Sequence, residues 1–98
     1  MLIERRTVSR KTPRDGKLEI SARAAAQLGS LGASFPLRTG RGDGSARLIA
    51  MMCSCEKVAA TGQHQHHFVE SDLLRALEPD TEVRIETDDA RPGSLAIL

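Results

Sequence analysis

Ala46-Arg47-Leu48-Ile49-Ala50-Met51-Met52-Cys53-Ser54-Cys55, followed after eight residues by His64-Gln65-His66-His67-Phe68-Val69-Glu70, is the stretch around which the rest of the chain is arranged. Its first segment is the strongest apolar run in the sequence and reads as a central β-strand. The second segment returns as its antiparallel partner, and the pair makes a hairpin whose loop, Glu56 to Gln63, is longer than a tight two-residue turn. Both cysteines and all three histidines of the chain fall within the fifteen positions from 53 to 67.

Thiolate sulfur and imidazole nitrogen together suit Zn²⁺, which takes four such ligands tetrahedrally at about 2.0 to 2.3 Å. Residues two apart on a strand share a face, so Cys53 and Cys55 project together, as do His64 and His66, while His67 faces away. Cys53, Cys55, His64 and His66 are therefore the expected metal ligands, with His67 as the alternative to either histidine. Four protein ligands leave no open position, which is the structural rather than the catalytic arrangement. The spacing is not the two-residue separation of zinc ribbons and fingers. Three other readings stay open: buried free cysteines with solvated histidines, a reactive cysteine paired with a histidine, and a disulfide. The last would be strained, because the Cα atoms of residues two apart on a strand lie about 6.5 to 7 Å apart.

Outward from the hairpin, 98 residues are enough for one domain, residues 1–98, and one small core. Phe35 and Phe68 are the only aromatic residues, so that core must be built from aliphatic side chains, and a metal staple would support it. There is no apolar run of membrane or signal-peptide length, and two cysteines one residue apart make no disulfide framework, so the expected compartment is the reducing cytoplasm.

The net charge of +1 hides an uneven layout: residues 1–47 carry ten Lys/Arg against four Asp/Glu, and the remainder four against nine. Arg5, Arg6, Arg10, Lys11 and Arg14 form a basic N-terminal arm of the kind that contacts nucleic-acid phosphates. The bland reading of the same arm is a solvated edge strand.

The remaining elements follow from local pattern. Leu2 to Ser9, Lys17 to Ile20, Ala33 to Arg38, Thr81 to Glu86 and Ser94 to Leu98 read as strands, with Val83 and Ile85 inward. Pro36 marks its strand as an edge, since proline cannot donate to a ladder. Pro13 to Gly16 has turn chemistry, and Thr39 to Ser45, with three glycines, reads as a loop. Ser21 caps a short helix through Leu28, ended by Gly29, with Leu28 and Leu31 sealing it on the sheet; Ser71 caps a second through Leu77, stopped at Glu78-Pro79. Seven strands and two short helices make an α+β domain, a small curled sheet or open barrel.

Two segments carry a resemblance. Leu18-Glu19-Ile20-Ser21 through Leu28-Gly29, followed by a hairpin, and then Leu73-Leu74-Arg75-Ala76-Leu77-Glu78-Pro79-Asp80-Thr81-Glu82-Val83 are similar to the DNA-binding pseudobarrel group, which includes plant transcription-factor domains and restriction-enzyme effector domains. The resemblance implies a seven-stranded open barrel that reads DNA with loops and strands. The chain departs from the group in lacking a core tryptophan and in carrying the Cys/His cluster, and no functional residue transfers. The expected function is a small zinc-stabilised DNA-binding module. The alternative is a protein-interaction or accessory domain that docks a partner through its uneven charge. No nucleophile, base and orienting group stand together, so no catalysis is expected.

Overall fold

A computed structural model describes residues 1–29, 31–53, 64–88 and 93–98, with residues 52, 53 and 64 described by backbone alone. In chain order the elements are β1 (Leu2–Thr7), α1 (Lys11–Asp15), β2 (Lys17–Ile20), α2 (Ala22–Leu28), β3 (Ser34–Thr39), β4 (Gly42–Cys53), β5 (His64–Glu70), a 3₁₀ helix (Asp72–Ala76), β6 (Glu82–Thr87) and β7 (Leu95–Ile97). The strands form one sheet in the order β1-β6-β7-β3-β4-β5-β2. All pairs are antiparallel except β3 with β7. The sheet curls until its two edges, β1 and β2, lie against one another without pairing. This is the expected α+β open barrel, with one unsealed seam.

That seam is bridged by side chains. The Glu4 carboxylate on β1 accepts hydrogen bonds from the Ser21 backbone N–H (3.0 Å) and hydroxyl (2.6 Å). The same hydroxyl accepts from the Ala24 N–H at 3.0 Å, capping α2. Ala24 and Ala25 are buried, and their small side chains let α2 sit close on the barrel. Inside, Leu18, Leu48, Val69, Leu74, Ile85 and Ile97 are each at most 1% exposed, an aliphatic core without an aromatic centre. Leu31, expected to seal α2, is instead 53% exposed. No helix among the described residues is long and apolar enough to cross a membrane.

Several expectations are corrected. Residues Lys11–Asp15 form a short helix rather than a turn, followed by Gly16 at φ +69°. A side chain on Gly16 would be strained there, and its Cβ would lie 3.0 Å from the Ser71 carbonyl oxygen. The second helix forms as a 3₁₀ turn, with the Ser71 hydroxyl accepting from the Leu73 N–H at 3.3 Å and donating to the Ser45 carbonyl at 2.8 Å. Strand β3 is interior, between β7 and β4, not an edge. Pro36 is tolerated because the ladder with the three-residue β7 begins only at Leu37 opposite Leu95, so among the described pairs none asks Pro36 for a donor on that side. Gly42 and Gly44 belong to β4, not to a loop. Leu73 of the 3₁₀ helix packs over Gly44, where a Cβ would lie 3.0 Å from its Cδ1.

Candidate metal and nucleic-acid site

Strands β4 and β5 run on past their neighbours. The β3–β4 ladder ends at Ser34 opposite Arg47, and the β2–β5 ladder ends at Ile20 opposite His67. The pairs Met51–His66, Met52–Gln65 and Cys53–His64 beyond them form a two-stranded ribbon among the described residues. An isolated two-stranded ribbon is marginal in water, so its end is where a cross-link would do most. The ladder sets Cys53 directly opposite His64, with His66 two positions along the same strand. Cys55 and the loop 54–63 lie outside the described residues, as do the side chains of Cys53 and His64.

His66 is the expected ligand whose side chain is described. Its Nδ1 lies 2.7 Å from Oε2 of Glu19, from β2. Glu19 pairs with Phe68, which puts its carboxylate diagonal to His66 on the outer face of the barrel. His67 takes the other face: it pairs with Ala50 and Ile20 and, with Ala22, Ala25 and Leu48, lines a pocket of about 170 Å³ under α2. Among the described residues no three His, Cys, Asp or Glu side chains gather at one point.

The five basic residues sit on two elements, Arg5 and Arg6 on β1, and Arg10, Lys11 and Arg14 at the head of α1 or within it. Arg5 and Arg6 alternate on β1, Arg5 lying 3.8 Å from Glu82 and Arg6 3.9 Å from Glu4. Arg14 donates to both carboxylate oxygens of Asp15, at 3.0 and 3.1 Å, and this hydrogen bonding holds the Asp15 carboxyl below the usual carboxylate range. Arg10, at the head of α1, and Lys11 have no ion-pair partner among the described residues. Lys11 reaches a cleft of about 230 Å³ shared with Ser9, Lys17, Glu19, His66 and Phe68, so the basic arm and the ribbon meet there.

Charge that is uneven along the sequence is largely paired in space. Arg5 with Glu82, Lys17 and Arg47 with Glu70, and Arg38 with Asp88 each join the basic first half to the acidic second half. The arginines of these pairs are half-exposed or more, while Lys17, Glu70 and Asp88 are more covered, at 29%, 30% and 9%. Pairs near the surface contribute about 0 to 1 kcal/mol each, and these four offset part of the charge asymmetry of the sequence. Glu19 and Lys17 escaped the sequence reading because both sit on a four-residue strand whose only signal was alternation; their proximity to His66 depends on the β2–β5 register.

No protein-family model, no curated protein and no solved structure matches the chain.

Proposed function

We propose that the chain is a small DNA-binding module whose β4–β5 ribbon is held by a structural zinc ion on Cys53, Cys55, His64 and His66. The observation that carries the metal reading is the register that sets Cys53 opposite His64 in the last described pair of the ladder, on a ribbon beside which no other strand pairs among the described residues. Two thiolates and two imidazoles fit zinc by donor type, and bound zinc would supply a cross-link rather than reactivity. Zinc stoichiometry separates the two candidate histidines: His66→Ala should bring a content near one zinc per chain below about one half, whereas His67→Ala should retain it. Melting temperature is the poorer readout here, because His67 lines the pocket under α2 and its loss also disturbs packing. Equal zinc loss in both variants would overturn the assignment.

The nucleic-acid reading rests on the seven-stranded open barrel, which the pseudobarrel resemblance implies, and on Arg10 and Lys11, cations not engaged within the described fold. Arg10, Lys11 and Arg14 would position phosphates, with Arg5 and Arg6 along the β1 edge. Titration of a fluorescent mixed-sequence duplex over a range of salt tests it. Affinity should fall as salt rises, and Arg10→Ala or Lys11→Ala should each reduce the log–log slope by about one. Arg14→Ala should change it less, since that guanidinium is already hydrogen-bonded to Asp15. Absence of binding at low salt would overturn the DNA assignment and leave the zinc reading standing. The second reading is a partner-docking domain that uses the charge not paired across the sheet, where Arg5, Lys17, Arg38 and Arg47 already meet acids of the other half. No DNA binding at low salt together with a stable complex recovered from cell lysate would favour it.

A further inference from the structure

We propose that Glu19 is a positioning residue for the metal: its carboxylate fixes the ring of His66 so that Nε2, not Nδ1, is the coordinating nitrogen. The inference rests on the zinc reading above and adds a residue from a different part of the chain, forty-seven positions away.

The geometry is specific. Nδ1 of His66 stands 2.7 Å from Glu19 Oε2, a short, charge-assisted hydrogen bond. A carboxylate only accepts, so Nδ1 is the donor in this bond, and the nitrogen that such a ring offers to a metal is Nε2. Metal-bound histidines commonly donate their second nitrogen to such a partner, which sets both the tautomer and the ring orientation. The backbone supports the same conclusion independently. Four consecutive β2–β5 pairs, Lys17–Glu70 to Ile20–His67, lock Glu19 beside Phe68, one step from His66. His66 itself sits in the ribbon one alternation from the Cys53–His64 pair. Stability does not account for the contact, because the two side chains are 31% and 46% exposed and pairs so placed contribute little. As an orienting bond it has a clear effect: it ties the ribbon's ligand to the barrel edge before the metal arrives.

The test uses the full chain loaded with zinc. Competition with a chromophoric chelator gives the zinc affinity of the unmodified protein, Glu19→Ala and Glu19→Gln, and long-range ¹⁵N–¹H spectra of the histidine rings identify the coordinating nitrogen. We expect Glu19→Ala to weaken zinc binding about 10- to 100-fold, with Glu19→Gln, which keeps a neutral acceptor, in between. The unmodified protein should show a slowly exchanging Nδ1–H on His66 that disappears in Glu19→Ala, while the amide spectrum of β6 and β7 is unchanged. A protein that binds zinc with the same affinity in all three forms, or that coordinates through Nδ1, overturns the role of Glu19 and leaves the metal site standing. A protein that takes up no zinc overturns both.

Discussion

If zinc holds the ribbon, stripping it with a chelator should lower the melting temperature of this chain by roughly 11 to 22 °C, and Cys53→Ser should have the same effect without a chelator. The magnitude follows from mass action: free ligand at a hundred times its dissociation constant stabilises the folded state by about 2.7 kcal/mol, and a domain of this size shifts by about 4 to 8 °C per kcal/mol. The loss should begin in the ribbon. Met51, Met52 and Cys53 pair only with His66, Gln65 and His64 among the described strands, and a ribbon of that kind is marginal alone. Amide exchange should therefore quicken first at these positions, while Ile85 and Ile97, buried in the barrel, stay protected until the whole domain melts. A metal-free protein that melts with the zinc-loaded one, or a Cys53→Ser variant that keeps both metal and melting point, contradicts the account.

Glu4→Ala destabilises the barrel by about 2 to 3 kcal/mol in urea unfolding, and Glu4→Gln by about half as much. The estimate starts from about 1.5 to 3 kcal/mol for each hydrogen bond to a charged group and is reduced because the seam is only partly buried. Glu4 receives two such bonds from Ser21, and its side chain is 17% exposed. Truncation to alanine removes the acceptor of both Ser21 donors where β1 meets the head of α2. The Ser21 hydroxyl also caps α2, so the helix and the seam loosen together. Glutamine keeps one acceptor oxygen without the charge. An alanine variant within 0.5 kcal/mol of the unmodified protein would mean that the edges are held by burial alone, since a change that small is what an ordinary surface substitution gives.

Much of this fold was legible in the sequence wherever the signal is local. Alternation placed Val83 and Ile85 inward, and the serine caps at 21 and 71 fixed where two helical segments begin. What escaped depends on contacts distant in the chain or on segments too short to show a period. Helix α1 has five residues, and Pro13, which reads as a turn signal, sits within the first turn, where no intrahelical donor is needed. The interior position of β3 follows from a parallel pairing with β7 that joins Leu37 to Leu95, and no local pattern encodes it. Gly42 and Gly44 read as loop because glycine usually does; the strand tolerates Gly44 because Leu73 fills the space above it.

The candidate site divides in the same way. Residue type and spacing pick out the cysteines and histidines without reference to the fold. The carboxylate on His66 comes from β2 and becomes visible only when that strand is laid on β5. Charge misled for the related reason that a surplus of arginine in one half of a sequence says nothing about what faces it. Arg5, Lys17, Arg38 and Arg47 all meet acids from the other half, whereas Arg10, Lys11, Arg23 and Arg41 form no ion pair among the described residues.

Elemental analysis of protein produced without a histidine tag tests the central claim most directly. The account predicts close to one zinc per chain, retained through gel filtration and released by chelator. A folded chain that carries no transition metal and takes none up when zinc is supplied would contradict it.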